Sequence, residues 1–141
     1  MILDGELPSY RVYEDEHTYA FLDIHPATKG HTLVIPRKHV VLVQDLSSEE
    51  MSALFRTVHR LVGPIQEAMD TPASNITINN GRAAGQLVPH VHVHIIPRKS
   101  IGRGGFHRIR SLTKTLPQSE FEEIAEKIRG KVSESSDHNH V

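Results

Sequence analysis

Apolar and polar residues alternate in short runs over the first third of the chain. SYRVYEDE (Ser9–Glu16) and TYAFLDI (Thr18–Ile24) set aromatic and branched residues between polar ones. That pattern predicts two strands joined by a short polar turn. Pro26 and Gly30 punctuate the next loop, and His31–Ile35 reads as a third strand that Pro36 ends. An antiparallel meander is expected.

The period then changes. Between Leu46 and Asp70, the residues Met51, Leu54, Phe55, Val58, Leu61, Val62, Ile65 and Met69 recur at helical spacing. Ser47 with Glu50 three residues on is a capping-box signature, and Leu46 with Met51 would staple across it. Pro64 lies inside the pattern, so a kink or two helical pieces are expected. Met51 and Met69 belong to the apolar stripe and read as core, whereas His59 reads as surface.

SNITINNG (Ser74–Gly81) predicts a fourth strand running into a turn, RAAGQLV a loop, and PHVHVHIIPR (Pro89–Arg98) a fifth strand. KSIGRGGFHRIR is glycine-rich and basic. PQSEFEEIAEKIRGKV then sets Phe121, Ile124, Ala125 and Ile128 at helical spacing, with Gly130 near the end. LVIPRK (Leu33–Lys38) and HIIPRK (His94–Lys99) are alike as two strands that end the same way. The expected class is α+β, with a mainly antiparallel sheet of about five strands, a long helix and a C-terminal helix on one face.

Side chains alternate faces along a strand. His90, His92 and His94 therefore share one face of the fifth strand, and Val91, Val93 and Ile95 the other. The apolar face can pack on the long helix. Three readings of the histidine face stand. Polar cover of an exposed sheet usually mixes Thr, Lys, Glu and Ser, which three identical titratable residues fit poorly. A metal site is chemically apt, because imidazole is the commonest ligand. Same-face neighbours lie roughly 6.6 Å apart, so two can converge on one ion, while the outer pair, roughly 13 Å apart, cannot easily do so. His31 or His39 would have to add a ligand. The catalytic reading draws on NNGRAAGQ just upstream. Gly81 and Gly85 let backbone N–H groups approach an anion, and Arg82 and the amide of Gln86 add donors. Imidazoles above such a loop suit a phosphate. A neutral imidazole is also a good nucleophile toward phosphorus near pH 7.

Composition trims these options. The 141 residues suit one domain with a real core. Charged residues are 23% and apolar residues 38%, an ordinary globular mix. A net charge of −1 supplies no basic field for nucleic acid. No run of roughly 18 apolar residues marks a membrane span, and MILDGELPSY, broken by Asp4 and Glu6, is unlike a signal peptide. The absence of cysteine excludes disulfides and thiolate metal sites and suits an intracellular location. Of eleven histidines, His138 and His140 lie in the polar tail SESSDHNHV and read as solvated.

GQLVPHVHVHII fits His-φ-His-φ-His-φ-φ, with φ apolar, and so resembles the signature of the histidine triad (HIT) superfamily of nucleotide hydrolases and transferases. GELPSYRVYEDEHTYAFLDIHPATKGHTLVIPRKH is similar to the first half of Hint-type members, and NNGRAAGQ occupies the expected place before the triad. PHVHVHIIPRK is also close to the Fhit segment. The likeness covers Gly5 to Arg98.

The resemblance implies a HIT domain over residues 1–110, a helical extension over 111–132 and a disordered tail over 133–141. It implies hydrolysis of phosphoramidates or dinucleoside polyphosphates through a covalent nucleotidyl-histidine. His92 would be the nucleophile toward the α-phosphorus. His94, Gln86 and backbone amides such as that of Gly85 would serve the phosphoryl oxygens, with Asn79 nearby. His31 would complete the polar cluster and His90 would orient its neighbours. Asp23 matches the acidic residue that binds the ribose hydroxyls. Phe21, Ile24, Leu7 and Ile2 would line the base pocket.

The same likeness implies a purine nucleotide substrate and a homodimer joined through helix residues that face away from the sheet. Neither nucleic acid nor membrane is an expected partner. The expected compartment is the cytoplasm, with the nucleus added in a eukaryotic cell. No cofactor is expected, apart from Mg2+ accompanying a polyphosphate substrate. Zinc-bearing relatives join a histidine near His39 to N-terminal cysteines, which this chain lacks, so no structural zinc is expected. Two features depart from the pattern. Leu87 stands where Hint members carry serine and Fhit threonine, a hydroxyl thought to help the leaving group. The region beyond Arg98 matches no single branch, and RKSIGRGGFHRIR reads equally as a site for further phosphates or as a solvated loop. A nucleotide-monophosphate-binding module with little turnover is the alternative, and a metalloprotein using His90 and His92 a third reading.

Overall fold

The computed structural model describes residues 10–100 and 116–138, with side chains through residue 135. The alternating runs form β1 (Arg11–Glu14), β2 (Thr18–Leu22) and β3 (Thr32–Pro36), each antiparallel to the one before. They are shorter than the runs that predicted them. Asp23 and Ile24 leave β2 for a turn in which Asp23 Oδ1 accepts the N–H of His25, and His31 stands just before β3. β4 (Ala73–Thr77) and β5 (Val93–Arg98) complete a five-stranded sheet in the order β1-β2-β3-β5-β4. Both pairings of β5 are antiparallel.

Insertion of β5 beside β3 fixes the geometry of the histidines. Leu33 pairs with His94. His31 lies two residues before Leu33 on the same face, so it stands diagonally across from His94, within reach of a long side chain.

Helix α1 (Ser48–Ala68) starts at the expected capping box. Ser47 Oγ accepts the Glu50 N–H at 3.0 Å, and the Glu50 carboxylate accepts the Ser47 N–H at 2.7 Å. The helix runs unbroken through Pro64, so it is not divided into two pieces. Pro64 is buried, and Leu61 and Ile65 beside it are fully buried. Their packing offsets a missing N–H and a ring clash that cost about 3 kcal/mol in an unsupported helix. Met51 and Phe55 are substantially exposed rather than core, because the buried stripe follows Leu54, Val58, Leu61 and Ile65.

Helix α2 (Gln118–His138) supplies Phe121, Ile124, Ala125, Ile128 and Val132 to the same core as Val34, Leu54, Leu61 and Ile95. It is part of the core rather than an appendage. It also continues past Val132 to His138, into the segment expected to be disordered. No helix among the described residues is long and apolar enough to cross a membrane.

Gly30 shapes the turn that leads into His31. It has φ +90°, and a Cβ there would lie 2.5 Å from Met69 Cγ and 3.3 Å from Pro97 Cγ. The turn is closed by the His31 N–H donating to Thr28 O at 3.1 Å. Gly30→Ala is expected to destabilise the fold by about 1–2 kcal/mol from backbone strain alone. Urea unfolding should show a lowered midpoint with an unchanged slope.

Candidate active site

The triad segment is only partly strand. β5 begins at Val93 rather than Pro89, so His94 sits in the ladder while His90 and His92 precede it. Other bonds hold them. The Val91 N–H donates to Val40 O at 2.7 Å and the His90 N–H to Val88 O at 2.8 Å. The buried His90 ring donates from Nε2 to Pro36 O at 2.8 Å, and it lies edge-on to His39 at 5.2 Å. His39 is exposed, and its Nε2 donates to Pro89 O at 2.7 Å. His92 Nδ1 lies 2.8 Å from His90 O. A carbonyl only accepts, so the proton of neutral His92 is on Nδ1 and its Nε2 carries a bare lone pair.

The second chain of bonds runs the opposite way. The Ala27 backbone N–H points at His31 Nδ1 at 3.0 Å, and His31 Nε2 lies 2.9 Å from His94 Nδ1. A backbone N–H only donates, so His31 Nδ1 is bare and Nε2–H is its protonated position. His31 therefore donates to His94 Nδ1, which leaves the His94 proton on Nε2. That Nε2 is buried and has no hydrogen-bond partner among the described residues. The rings of His92 and His94 meet at 4.9 Å. The two neighbouring rings thus carry their protons on different nitrogens, Nδ1 in His92 and Nε2 in His94.

Burial disfavours the charged form of His31, His94 and His90. His31, 4% exposed, is pushed down to about 4, chiefly by burial; Asp23 opposes the shift, and His94 and His92 add to it. Burial lowers His94, with His92 adding and Asp23 opposing. Burial also lowers His90, against the bond to Pro36, with His39 and His92 adding to the shift.

The glycine loop is closed on itself. Gly81 and Gly85 both take positive φ around the turn Arg82–Ala84. The N–H groups of Ala84 and Gln86 donate to Gly81 O, and that of Gly85 to Arg82 O. The Gln86 side chain accepts the Gly81 N–H at 2.8 Å and donates to Val41 O at 2.7 Å, reaching His90 O at 3.4 Å. Gln86 and Gly85, expected as phosphate donors, thus already direct their N–H groups at the protein's own carbonyls. Asn79 is half-buried beside Gly85.

Asp23 Oδ2 lies 3.6 Å from His31 Nε2, outside hydrogen-bond reach but on the site. Phe21 is buried, with its ring 5.6 Å from Tyr19, and Ile24 is exposed. Leu7 and Ile2 lie outside the described residues. Leu87 is 93% exposed beside the buried Gln86.

Asp23, His31 and His94 offer ligand atoms within 4.8 Å of one another, the geometry of a metal site. The polarity of the Ala27 bond argues against it. A neutral histidine that ligates through Nε2 keeps its proton on Nδ1 and donates it to an acceptor. His31 Nδ1 instead faces a donor. The pair His90 and His92 fares no better, since the His90 Nε2 proton is held by Pro36 O.

The groups that set these protons are backbone atoms of Ala27, Pro36, Val41 and His90, to which no side-chain pattern points. The one sequence signal near them is Gly30, whose turn carries the chain from Ala27 back to His31.

A model of the HIT domain matches residues 4–101. The chain is 46% identical over 103 residues to "Protein hit" of Bacillus subtilis, covering 73% of this chain and 71% of that protein. It is 36% identical over 107 residues to the adenosine 5'-monophosphoramidase HNT1 of Candida albicans, covering 73% and 70%. The crystal structure of a zinc-bound histidine triad family protein from Mycobacterium smegmatis superposes with a TM-score of 0.81 at 33% identity, covering 97% of this chain and 93% of that one.

Burial lowers His31, His90 and His94 alike, which sets the sign of the histidines' contribution to the pH dependence of stability. Unfolded histidines take up protons near pH 6.5, and the folded ones refuse them until lower pH. Stability present above pH 6.5 is therefore lost as pH falls toward about 4. The urea midpoint should be flat above about pH 7 and drop steadily below 6.5, less steeply in His31→Gln.

Proposed function

The chain belongs to the HIT family, and from that premise we propose that it is a nucleotide hydrolase in which His92 attacks the α-phosphorus of a nucleoside 5'-phosphate derivative. The observation that carries this reading is the pair of opposed protons. His92 presents a bare Nε2 because His90 O holds its Nδ1–H, while His94 presents an unpartnered Nε2–H.

The chemistry follows from those atoms. The His92 Nε2 lone pair forms the N–P bond as the bond from phosphorus to the leaving group breaks. His92 then carries a positive charge, and the bond from Nδ1 to His90 O disperses it. The His94 Nε2–H donates to a non-bridging oxygen on which charge builds. The oxygen of a water molecule next forms a P–O bond as the N–P bond breaks; the proton it sheds passes to the departed leaving group or to solvent, the nucleoside monophosphate is released and His92 returns neutral. His31 keeps the His94 proton in place. Asp23 serves the ribose hydroxyls through its carboxylate, and Phe21 gives the base an apolar wall.

The likeness to the Candida albicans adenosine 5'-monophosphoramidase supports a P–N substrate with an adenine base. Leu87 offers the leaving group no proton, so substrates whose leaving group departs readily, such as a dinucleoside polyphosphate or an acyl or sulfate derivative, should turn over best. The same missing hydroxyl favours the second reading, a nucleotide-monophosphate-binding module. A homodimer fits too. β4 is an edge strand with Ile76 exposed, and Met51 and Phe55 lie exposed on α1.

Turnover of adenosine phosphoramidate and of a diadenosine polyphosphate tests the reading. Wild type should hydrolyse at least one and, on rapid quench, yield a nucleotidyl adduct on His92. His92→Ala should lose on the order of 1,000-fold or more. Leu87→Ser should speed the phosphoramidate selectively. AMP binding without turnover of either substrate would leave the binding module instead.

A further inference from the structure

We infer that Gln86 is a positioning residue for the nucleophile, acting on His92 through the carbonyl of His90, and not a donor to the substrate. The inference deepens the reading of His92 as nucleophile and rests on it.

The orientation of the Gln86 amide is unambiguous. Its Oε1 faces the Gly81 N–H at 2.8 Å, and its Nε2 faces Val41 O at 2.7 Å and His90 O at 3.4 Å. A flipped amide would set an oxygen against two carbonyl oxygens and a donor against an N–H. The residue is 6% exposed. Nε2 has two hydrogens, and two carbonyls face them, so a phosphate oxygen finds none left. The backbone N–H is committed as well, to Gly81 O at 3.1 Å.

His90 O is where this clamp meets the chemistry. A carbonyl has two lone pairs. Here one faces Gln86 Nε2, and the other takes the His92 Nδ1–H at 2.8 Å. Gln86 also ties that carbonyl to Val41, whose neighbour Val40 accepts the Val91 N–H at 2.7 Å. The amide therefore bridges the segment after β3 and the glycine loop to the one atom that holds the nucleophile's proton. Without it, the His90–Val91 peptide keeps only the Val91 N–H bond to Val40 O, and His90 O can tilt away from the His92 ring toward water. His92 can then adopt the Nε2–H form, whose lone pair sits on Nδ1 and leaves none on Nε2 for phosphorus.

The test compares full-length wild type, Gln86→Ala and Gln86→Asn. Asn keeps an amide one methylene short of His90 O, and it carries the test if the alanine variant fails to fold. Three quantities are read: the His92 tautomer from long-range 1H–15N correlations without substrate, AMP affinity by titration, and kcat and KM on adenosine phosphoramidate. The Nδ1–H form should dominate in wild type and give way to Nε2–H in the variants. kcat should fall by up to about 100-fold, with AMP affinity unchanged. A wild-type tautomer in the variants overturns the inference, whether activity holds or AMP affinity falls in step with kcat. If wild type itself turns over nothing, the hydrolase reading fails, while the tautomer comparison still decides the role of Gln86.

Discussion

The site depends on one backbone hydrogen bond, from the Ala27 N–H to His31 Nδ1 at 3.0 Å. A main-chain N–H has no second role, so it fixes which nitrogen of His31 carries the proton. His31 then fixes His94, whose own proton is left on the buried, unpartnered Nε2. A second backbone atom, His90 O, does the reverse for His92. Two chemically identical rings, with centroids 4.9 Å apart, thus hold their protons on opposite nitrogens.

Neutrality is the condition for this arrangement, and the fold supplies it by burial. His31 and His90 are closed off between β3, β5 and the loops beside them, and Asp23 opposes but does not cancel the downward shift of His31. Protonation of His31 would place a donor on Nδ1 against the Ala27 donor and break the order of the bonds. The same polarity separates this cluster from a metal centre that its ligand distances alone would allow.

Much of the fold was legible because it rests on side-chain periodicity. The meander, the Ser47–Glu50 cap and the α2 stripe all follow from patterns that local sequence carries. Pro64 does not split the helix because packing by Leu61 and Ile65 offsets a local propensity. Met51 and Phe55 misled because an apolar stripe wider than the contact leaves its edge exposed. In the site, alternation placed His92 and His94 together, and the family resemblance singled out His31 and Asp23. The roles of Gly85 and Gln86 were not legible, since the partners of their N–H groups are carbonyls at Arg82, Val41 and His90. Side-chain patterns carry no record of where a backbone oxygen points.

The proton positions on His31 and His94 test the account most directly. Long-range 1H–15N spectra of the free protein near pH 7.5 should show both rings neutral and protonated on Nε2. A His94 ring protonated on Nδ1, or a cationic His31, would contradict it, because the order of bonds from Ala27 through His31 to His94 would then be broken.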